Sequence, residues 1–156
     1  MSSAPPPAQR IDLPRRHAAS YHAMFALQKH VNAGALPTGL HELVKMRASQ
    51  INGCAFCIDL HARVAREHGE SDRRLHLLAA WGESGAFDAR ECAALAWTEA
   101  LTLVASSQVP DSVYAEVSAQ FTEAEIVELS MAIVAINGWN RLMVAFRTPP
   151  GGHAVA

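Results

Sequence analysis

Ser49-Gln50-Ile51-Asn52-Gly53-Cys54-Ala55-Phe56-Cys57-Ile58-Asp59-Leu60-His61 is the stretch on which the reading of this chain turns. Asn52-Gly53 is a turn signal, and a run of helix formers follows it to Glu67. Three-residue and four-residue steps put side chains on one helix face. Cys54, Cys57 and His61 are therefore expected to form a stripe beside a helix N-terminus. Upstream, Leu40, Leu43, Val44, Ala48 and Ile51 share one face of a helix that Thr38 can cap. The local prediction is two helices joined by a tight Asn-Gly turn, with the cysteine pair just after it.

The pattern extends in both directions. Tyr21, Met24, Phe25 and Val31 recur at helical spacing from Ala18, and Gly34 and Pro37 end that helix. The cysteine helix runs to His68, with Gly69 as C-cap. Ser71 or Asp72 starts a short helix through Leu75, Leu78 and Ala79, stopped by Gly82. Asp88 with Glu91 reads as a capping box opening a long helix from about Ala89 to Val104, and Thr122 with Glu125 as a second opening the last helix. Asp111 after Pro110 opens a short helix between them. No alternating period or long β-branched run indicates a strand. The expectation is an all-α bundle of about seven helices over residues 17–147. Residues 1–16, with Pro5-Pro6-Pro7, and residues 148–156, with Pro149-Pro150-Gly151-Gly152, are expected to be flexible tails.

Composition narrows the function. The 156 residues suit one domain, and half are apolar, enough for a sizeable core. A formal net charge of −2 with no concentrated basic block argues against a nucleic-acid partner. Met1 to Arg16 has no apolar core of a secretory signal, so the expected compartment is the cytoplasm, where a close cysteine pair points to catalysis, redox chemistry or metal binding rather than a staple. The longest apolar stretch, Leu129 to Ile136, continues to Phe146 only through Asn137, Asn140 and Arg141. A membrane span needs about 20 mostly apolar residues, so this stretch is expected to be a core helix and no membrane partner is expected. One short repeat stands out: Ile51-Asn52-Gly53 recurs as Ile136-Asn137-Gly138, with Met46 and Met131 at the same offset. A duplicated helix pair and chance both account for it.

Several chemistries compete for Cys54-x-x-Cys57-x-x-x-His61. Structural zinc needs four ligands, and no second Cys-x-x-Cys or His pair lies nearby in sequence. Haem attachment needs histidine directly after the second cysteine, where Ile58 stands. Thioredoxin-like proteins set Cys-x-x-Cys on a βαβ pattern that this sequence lacks. Two buried core cysteines are the plain alternative. Thiolate chemistry uses every part of the pattern: helix N–H groups and the macrodipole lower a thiol pKa, His61 can accept a proton from Cys57 one turn away, and a second thiol traps a sulfenic acid before over-oxidation.

The segment Glu42-Leu43-Val44-Lys45-Met46-Arg47-Ala48 continuing through Cys54, Cys57 and His61 resembles the AhpD-like alkylhydroperoxidases of the carboxymuconolactone decarboxylase superfamily. Ala96-Trp97-Thr98-Glu99-Ala100 and Ile136-Asn137-Gly138-Trp139-Asn140-Arg141 are similar to the family too, and the likeness runs from about Tyr21 to Arg147. The resemblance implies an all-helical fold assembled into dimers, trimers or hexamers. It implies a peroxidase without metal, haem or flavin, in which a cysteine pair reduces hydroperoxides and a separate thiol or dithiol donor reduces the disulfide. A glutamate and a histidine manage protons, and they match Glu42 and His61. The best-studied members carry a second histidine between the cysteines, where this chain has Phe56. The decarboxylase branch typically lacks the cysteine pair.

The expected site is therefore Cys57 as the peroxidatic thiol, Cys54 as the resolving one, and Glu42 and His61 as a proton relay. A general dithiol–disulfide oxidoreductase and a non-catalytic redox-sensing oligomer are the alternatives. For Glu42, Lys45 three residues on offers another reading, an exposed helix ion pair. His41, about 100° round the helix from Glu42, is expected at the surface, Cys92 in the core, and Trp81, Trp97 and Trp139 in the core or at a subunit interface.

Overall fold

The structure, a computed structural model, describes residues 7–151; residues 1–6 and 152–156, the ends of the two expected tails, lie outside the described residues. The order is α1 (Leu13–Arg16), α2 (Ala18–Asn32), α3 (Thr38–Asn52), α4 (Ala55–Glu67), α5 (Asp72–Leu77), α6 (Trp81–Ser84), α7 (Ala89–Thr102), α8 (Val104–Ser107), α9 (Asp111–Gln120) and α10 (Glu123–Phe146), with a 3₁₀ turn at Leu78–Ala80. No strand occurs among the described residues, and the fold is all-α. Seven of these helices are the ones the periodicity predicts. The other three, α1, α6 and α8, are four residues each, too short to show a helical period.

Both capping boxes form: Asp88 with Glu91 at α7 and Thr122 with Glu125 at α10. Each N-cap satisfies a first-turn N–H that has no helical partner and contributes about 1 kcal/mol. α3 begins at Thr38 itself, with Pro37 in the capping position. Its other end sets the site. Gly53 has φ +66°, and its N–H bonds to the Gln50 carbonyl while the Cys54 N–H bonds to Ser49. This pair of bonds closes α3 in a Schellman turn, and a side chain at position 53 would strain the left-handed backbone by about 1–2 kcal/mol. Cys54 is at once the residue after that turn and the N-cap of α4, so α4 turns back along α3.

α3 is the hub of the bundle, packed against α4, α7 and α10. Leu40, Val44, Trp97, Val117, Phe121 and Leu129 fill the core between α3, α7, α9 and α10. Leu43, Met46, Ala65, Leu75, Leu78 and Leu95 fill the one between α3, α4, α5 and α7. Each fully buried leucine contributes about 1.5–3 kcal/mol by leaving water. A third cluster joins Leu13, Ala48, Cys54, Cys57, Ile136 and Trp139. α10 is long and apolar enough to cross a membrane by length and composition; here it packs against α2, α3, α4 and α7.

Enclosure of α3 explains two departures from expectation. His41 is 4% exposed rather than at the surface, and Lys45 is 5% exposed, so its pair with Glu42 is buried. A helix wrapped on several sides has no solvent face to hold polar residues, and such groups persist inside only when paired. Within the stretch read as an N-terminal tail, Asp12 caps α1, Leu13 is buried, and the Arg10 N–H bonds to the Phe146 carbonyl. At the other end, the Gly151 N–H bonds to Asp59.

Candidate active site

Glu42 lies about three turns before the Gly53 turn and His61 about two turns after it, and the return of α4 along α3 lets the two long side chains meet. Glu42 Oε2 is 2.7 Å from His61 Nδ1, and Glu42 Oε1 accepts from Lys45 Nζ at 2.9 Å. The carboxylate is 3% exposed. Burial opposes its charge, yet the His61 hydrogen bond and charge and the Lys45 ammonium overcome this and hold its pKa at about 2. Glu42 is therefore ionised, and an ionised carboxylate only accepts. The proton in the Glu42–His61 bond is on His61 Nδ1, so in a neutral ring the lone pair lies on Nε2. Both contacts offered for Glu42 by the sequence exist at once, one on each oxygen.

Cys54 and Cys57 are free thiols, 1% and 2% exposed. They pack in one cluster, with the Cys57 thiol set to donate toward Cys54, and the consequence is asymmetric. That bond from Cys57 lowers the Cys54 pKa to about 7; burial opposes it, and the first-turn N–H groups of Cys57 and Phe56 and the Asn140 amide assist. These N–H groups act by their direction, since the thiol makes no full cap bond. Cys57 is pushed the other way, by keeping its proton as the donor to Cys54, by burial and by the Cys54 charge. The pair thus holds one negative charge and one proton near neutral pH. Cys92 packs beside the α3–α7 core, away from this pair, and burial raises its thiol.

A cavity of about 680 Å³ adjoins the pair. Glu42, Lys45, Cys57 and His61 line it, whereas Cys54 does not. Tyr21, Phe56, Leu60, Val64, Trp139 and Met143 supply apolar wall, a composition and volume suited to a small organic molecule. His41 also lines it, its buried Nε2 3.7 Å from Glu128 Oε1 and outside hydrogen-bond geometry. Residues of both chain ends, among them Asp12, Pro14 and Pro149, form part of its wall.

Sequence reasoning named Cys54, Cys57, His61 and Glu42, and the structure gathers all four. It passed over Ser49 and Asn140, both buried beside the thiols. The signal for Asn140 was present as a polar residue inside an apolar run.

The model of the carboxymuconolactone decarboxylase family matches residues 18–100, more than half of the chain, and includes α2, α3, α4 and most of α7. The chain is an AhpD-like member of the carboxymuconolactone decarboxylase family. The chain is 40% identical to the uncharacterised YdfG of Bacillus subtilis over 122 residues, 78% of this chain and 83% of YdfG. The crystal structure of ATU0492 from Agrobacterium tumefaciens, a protein of unknown function suggested to be the antioxidant defence protein AhpD, superposes with a TM-score of 0.91 at 36% identity, covering 94% of this chain and all (100%) of that one. The debrominase Bmp8 has the same fold with a TM-score of 0.79 at 19% identity, over 88% of this chain and 74% of its own. The AhpD-like fold thus carries more than one named chemistry, and the four gathered side chains must decide which applies here.

Proposed function

We propose that this chain is a thiol-dependent peroxidase that reduces organic hydroperoxides through a Cys54–Cys57 disulfide cycle. The observation that carries the reading is a pair of free thiols packed in one cluster, one of them lining an apolar cavity together with the Glu42–His61 pair. The Cys57 thiolate attacks the terminal peroxide oxygen. The O–O bond breaks, Cys57 becomes a sulfenic acid, and the alkoxide takes a proton to leave as alcohol. Cys54 then attacks the Cys57 sulfur, and water leaves as the disulfide forms. The sum is two thiols and ROOH giving one disulfide, ROH and water. A separate thiol or dithiol donor returns the pair to the reduced state, in the cytoplasm, where thiols stay reduced.

A dithiothreitol-coupled assay with cumene hydroperoxide tests this. Many equivalents of hydroperoxide should be consumed per chain. The cavity wall gives an apolar body binding energy that hydrogen peroxide cannot collect, so kcat/KM for cumene hydroperoxide should exceed that for hydrogen peroxide by roughly tenfold or more, about two buried methylenes' worth. Consumption that stops after one equivalent would instead mark a redox sensor, and disulfide reduction in a substrate protein without peroxide turnover would mark a general oxidoreductase.

The chain acts as a homo-oligomer in this reading. Val127 and Val134, seven residues apart on one face of α10, are 58% and 55% exposed, and apolar surface of this kind favours a partner copy. Multi-angle light scattering at micromolar concentration should give a multiple of the 16.8 kDa chain mass; a single-chain mass removes this part of the proposal.

A further inference from the structure

The two Ile-Asn-Gly motifs noticed in the sequence meet in space beside the thiols. Asn52 Nδ2 donates to Asn137 Oδ1 at 3.0 Å and to Asn140 Oδ1 at 2.9 Å. Counting protons fixes how each group is turned. The Ser49 hydroxyl donates to the Lys45 carbonyl at 2.7 Å, so its oxygen has only lone pairs left for Asn140. Asn140 Nδ2 donates to that oxygen at 3.0 Å. With Asn52 holding its Oδ1, the Asn140 amide cannot flip without losing both bonds. Asn137 is pinned in turn, donating to Thr102 Oγ1 at 3.0 Å and to the Ile133 carbonyl at 2.9 Å.

An amide NH₂ has two protons, and Ser49 uses one of those on Asn140. Asn140 is 1% exposed and Ser49 is fully buried at 0%, so water does not compete for the other. The α10 residues flanking Asn140, namely Ile136, Trp139 and Met143, pack in one cluster with Cys54 and Cys57. That N–H therefore lies in the same buried seam as the two sulfurs. Consistently, the Asn140 amide lowers the pKa of both thiols, and Ser49 lowers that of Cys57.

We propose that Asn140 is a catalytic residue, a hydrogen-bond donor that holds the single negative charge of the Cys54–Cys57 pair, and that Asn52 and Ser49 are positioning residues that aim it. The role explains why three polar side chains are kept in the seam between α3 and α10, where apolar ones would pack without needing partners. It also gives the repeat a use: the first Asn-Gly motif closes α3 in front of Cys54, and Asn52 from it reaches the second motif and turns Asn140 towards the sulfurs.

The inference rests on the thiols being the reactive groups, and its test needs no hydroperoxide. Other titratable groups around the pair are Glu42, Lys45 and His41 on α3, His61 and His68 on α4, Tyr21 on α2 and Asp12 before α1, and all stay in place in the variants. In a Cys92→Ser background, only the pair contributes thiol chemistry. Thiolate absorbance and iodoacetamide alkylation, followed from about pH 5 to about pH 10, should give a midpoint near 7 for the parent. Asn140→Leu should move the midpoint up by on the order of one pH unit, cutting alkylation at neutral pH by about fivefold and leaving it unchanged at high pH, where thiolate forms regardless. Asn140→Asp, of the same size, should move it at least as far, and Asn52→Ala should move it part of the way. A purely structural asparagine lowers the melting temperature but not the titration midpoint. Where Asn140→Leu gives no folded protein by circular dichroism, Asn140→Asp and Asn52→Ala decide. An unmoved midpoint in the folded variants overturns the proposal. Absent peroxide turnover with a moved midpoint would strike the peroxidase reading alone.

Discussion

Cys57→Ser should bring hydroperoxide turnover down by about three orders of magnitude or more, the scale on which loss of a nucleophile acts, while Cys54→Ser should still complete one oxidation per chain. Two properties of the pair bear on this, and they point to different sulfurs. The negative charge rests on Cys54, whose pKa is lowered to about 7 by the bond from Cys57. Access belongs to Cys57, which lines the cavity where Cys54 does not. The shared hydrogen bond reconciles them, because moving one proton from Cys57 to Cys54 puts the thiolate where substrate arrives. In Cys54→Ser the sulfenic acid on Cys57 has no local thiol to condense with, so dimedone should label it, or it should proceed to sulfinic acid. In the unaltered chain, mild peroxide should instead remove two hydrogens and join Cys54 to Cys57, leaving Cys92 free. Dimedone on Cys54 in the Cys57→Ser chain, with none on Cys57 in Cys54→Ser, reverses the roles.

The sequence disclosed what depends on local rules and hid what depends on enclosure. Asp88/Glu91, Thr122/Glu125 and Gly53 are local devices, and each does in the structure what its residue type predicts. Cys54, Cys57 and His61 share an element end, so spacing sufficed to associate them. Glu42 was different: twelve residues before Cys54, it joined the site only through family resemblance, because nothing in a one-dimensional pattern reports that α4 folds back level with it. His41 and Lys45 were read as exposed because a one-sided apolar stripe is the usual sign of a surface helix; α3 is instead enclosed by α4, α7 and α10. Ser49 and Asn140 were not assigned to the site for a related reason. A serine near a helix end and an asparagine in an apolar run carry no spacing signature, and their meaning comes from donors and acceptors on two helices that the fold brings together.

Glu42→Gln should lower turnover by at least about tenfold, within the 10²–10⁴ range typical of general acid–base help, and the reason is a change of tautomer as much as a loss of charge. Lys45 Nζ has only protons to offer, so it selects the carbonyl oxygen of the new glutamine, and the amide NH₂ is left facing His61. An NH₂ group donates, so His61 must present its lone pair on Nδ1 and carry its proton on Nε2. In the unaltered chain the ionised carboxylate enforces the opposite arrangement, with Nδ1–H bonded to Glu42 Oε2 at 2.7 Å and the lone pair of a neutral ring on Nε2. Glu42→Gln thus removes the base from the nitrogen not engaged by Glu42 while preserving shape and two hydrogen bonds. Circular dichroism should show the helical fold intact, although stability should fall because the buried Lys45 loses its counter-charge. His61→Gln should lose activity on the same scale. Since the two residues act as one unit, the double variant should lose clearly less than the product of the single losses. That non-additivity separates the relay from its structural rival. If Glu42→Gln turns over hydroperoxide at the full rate while Glu42→Ala only melts at a lower temperature, Glu42 serves to neutralise Lys45, and proton transfer at this site belongs to some other group.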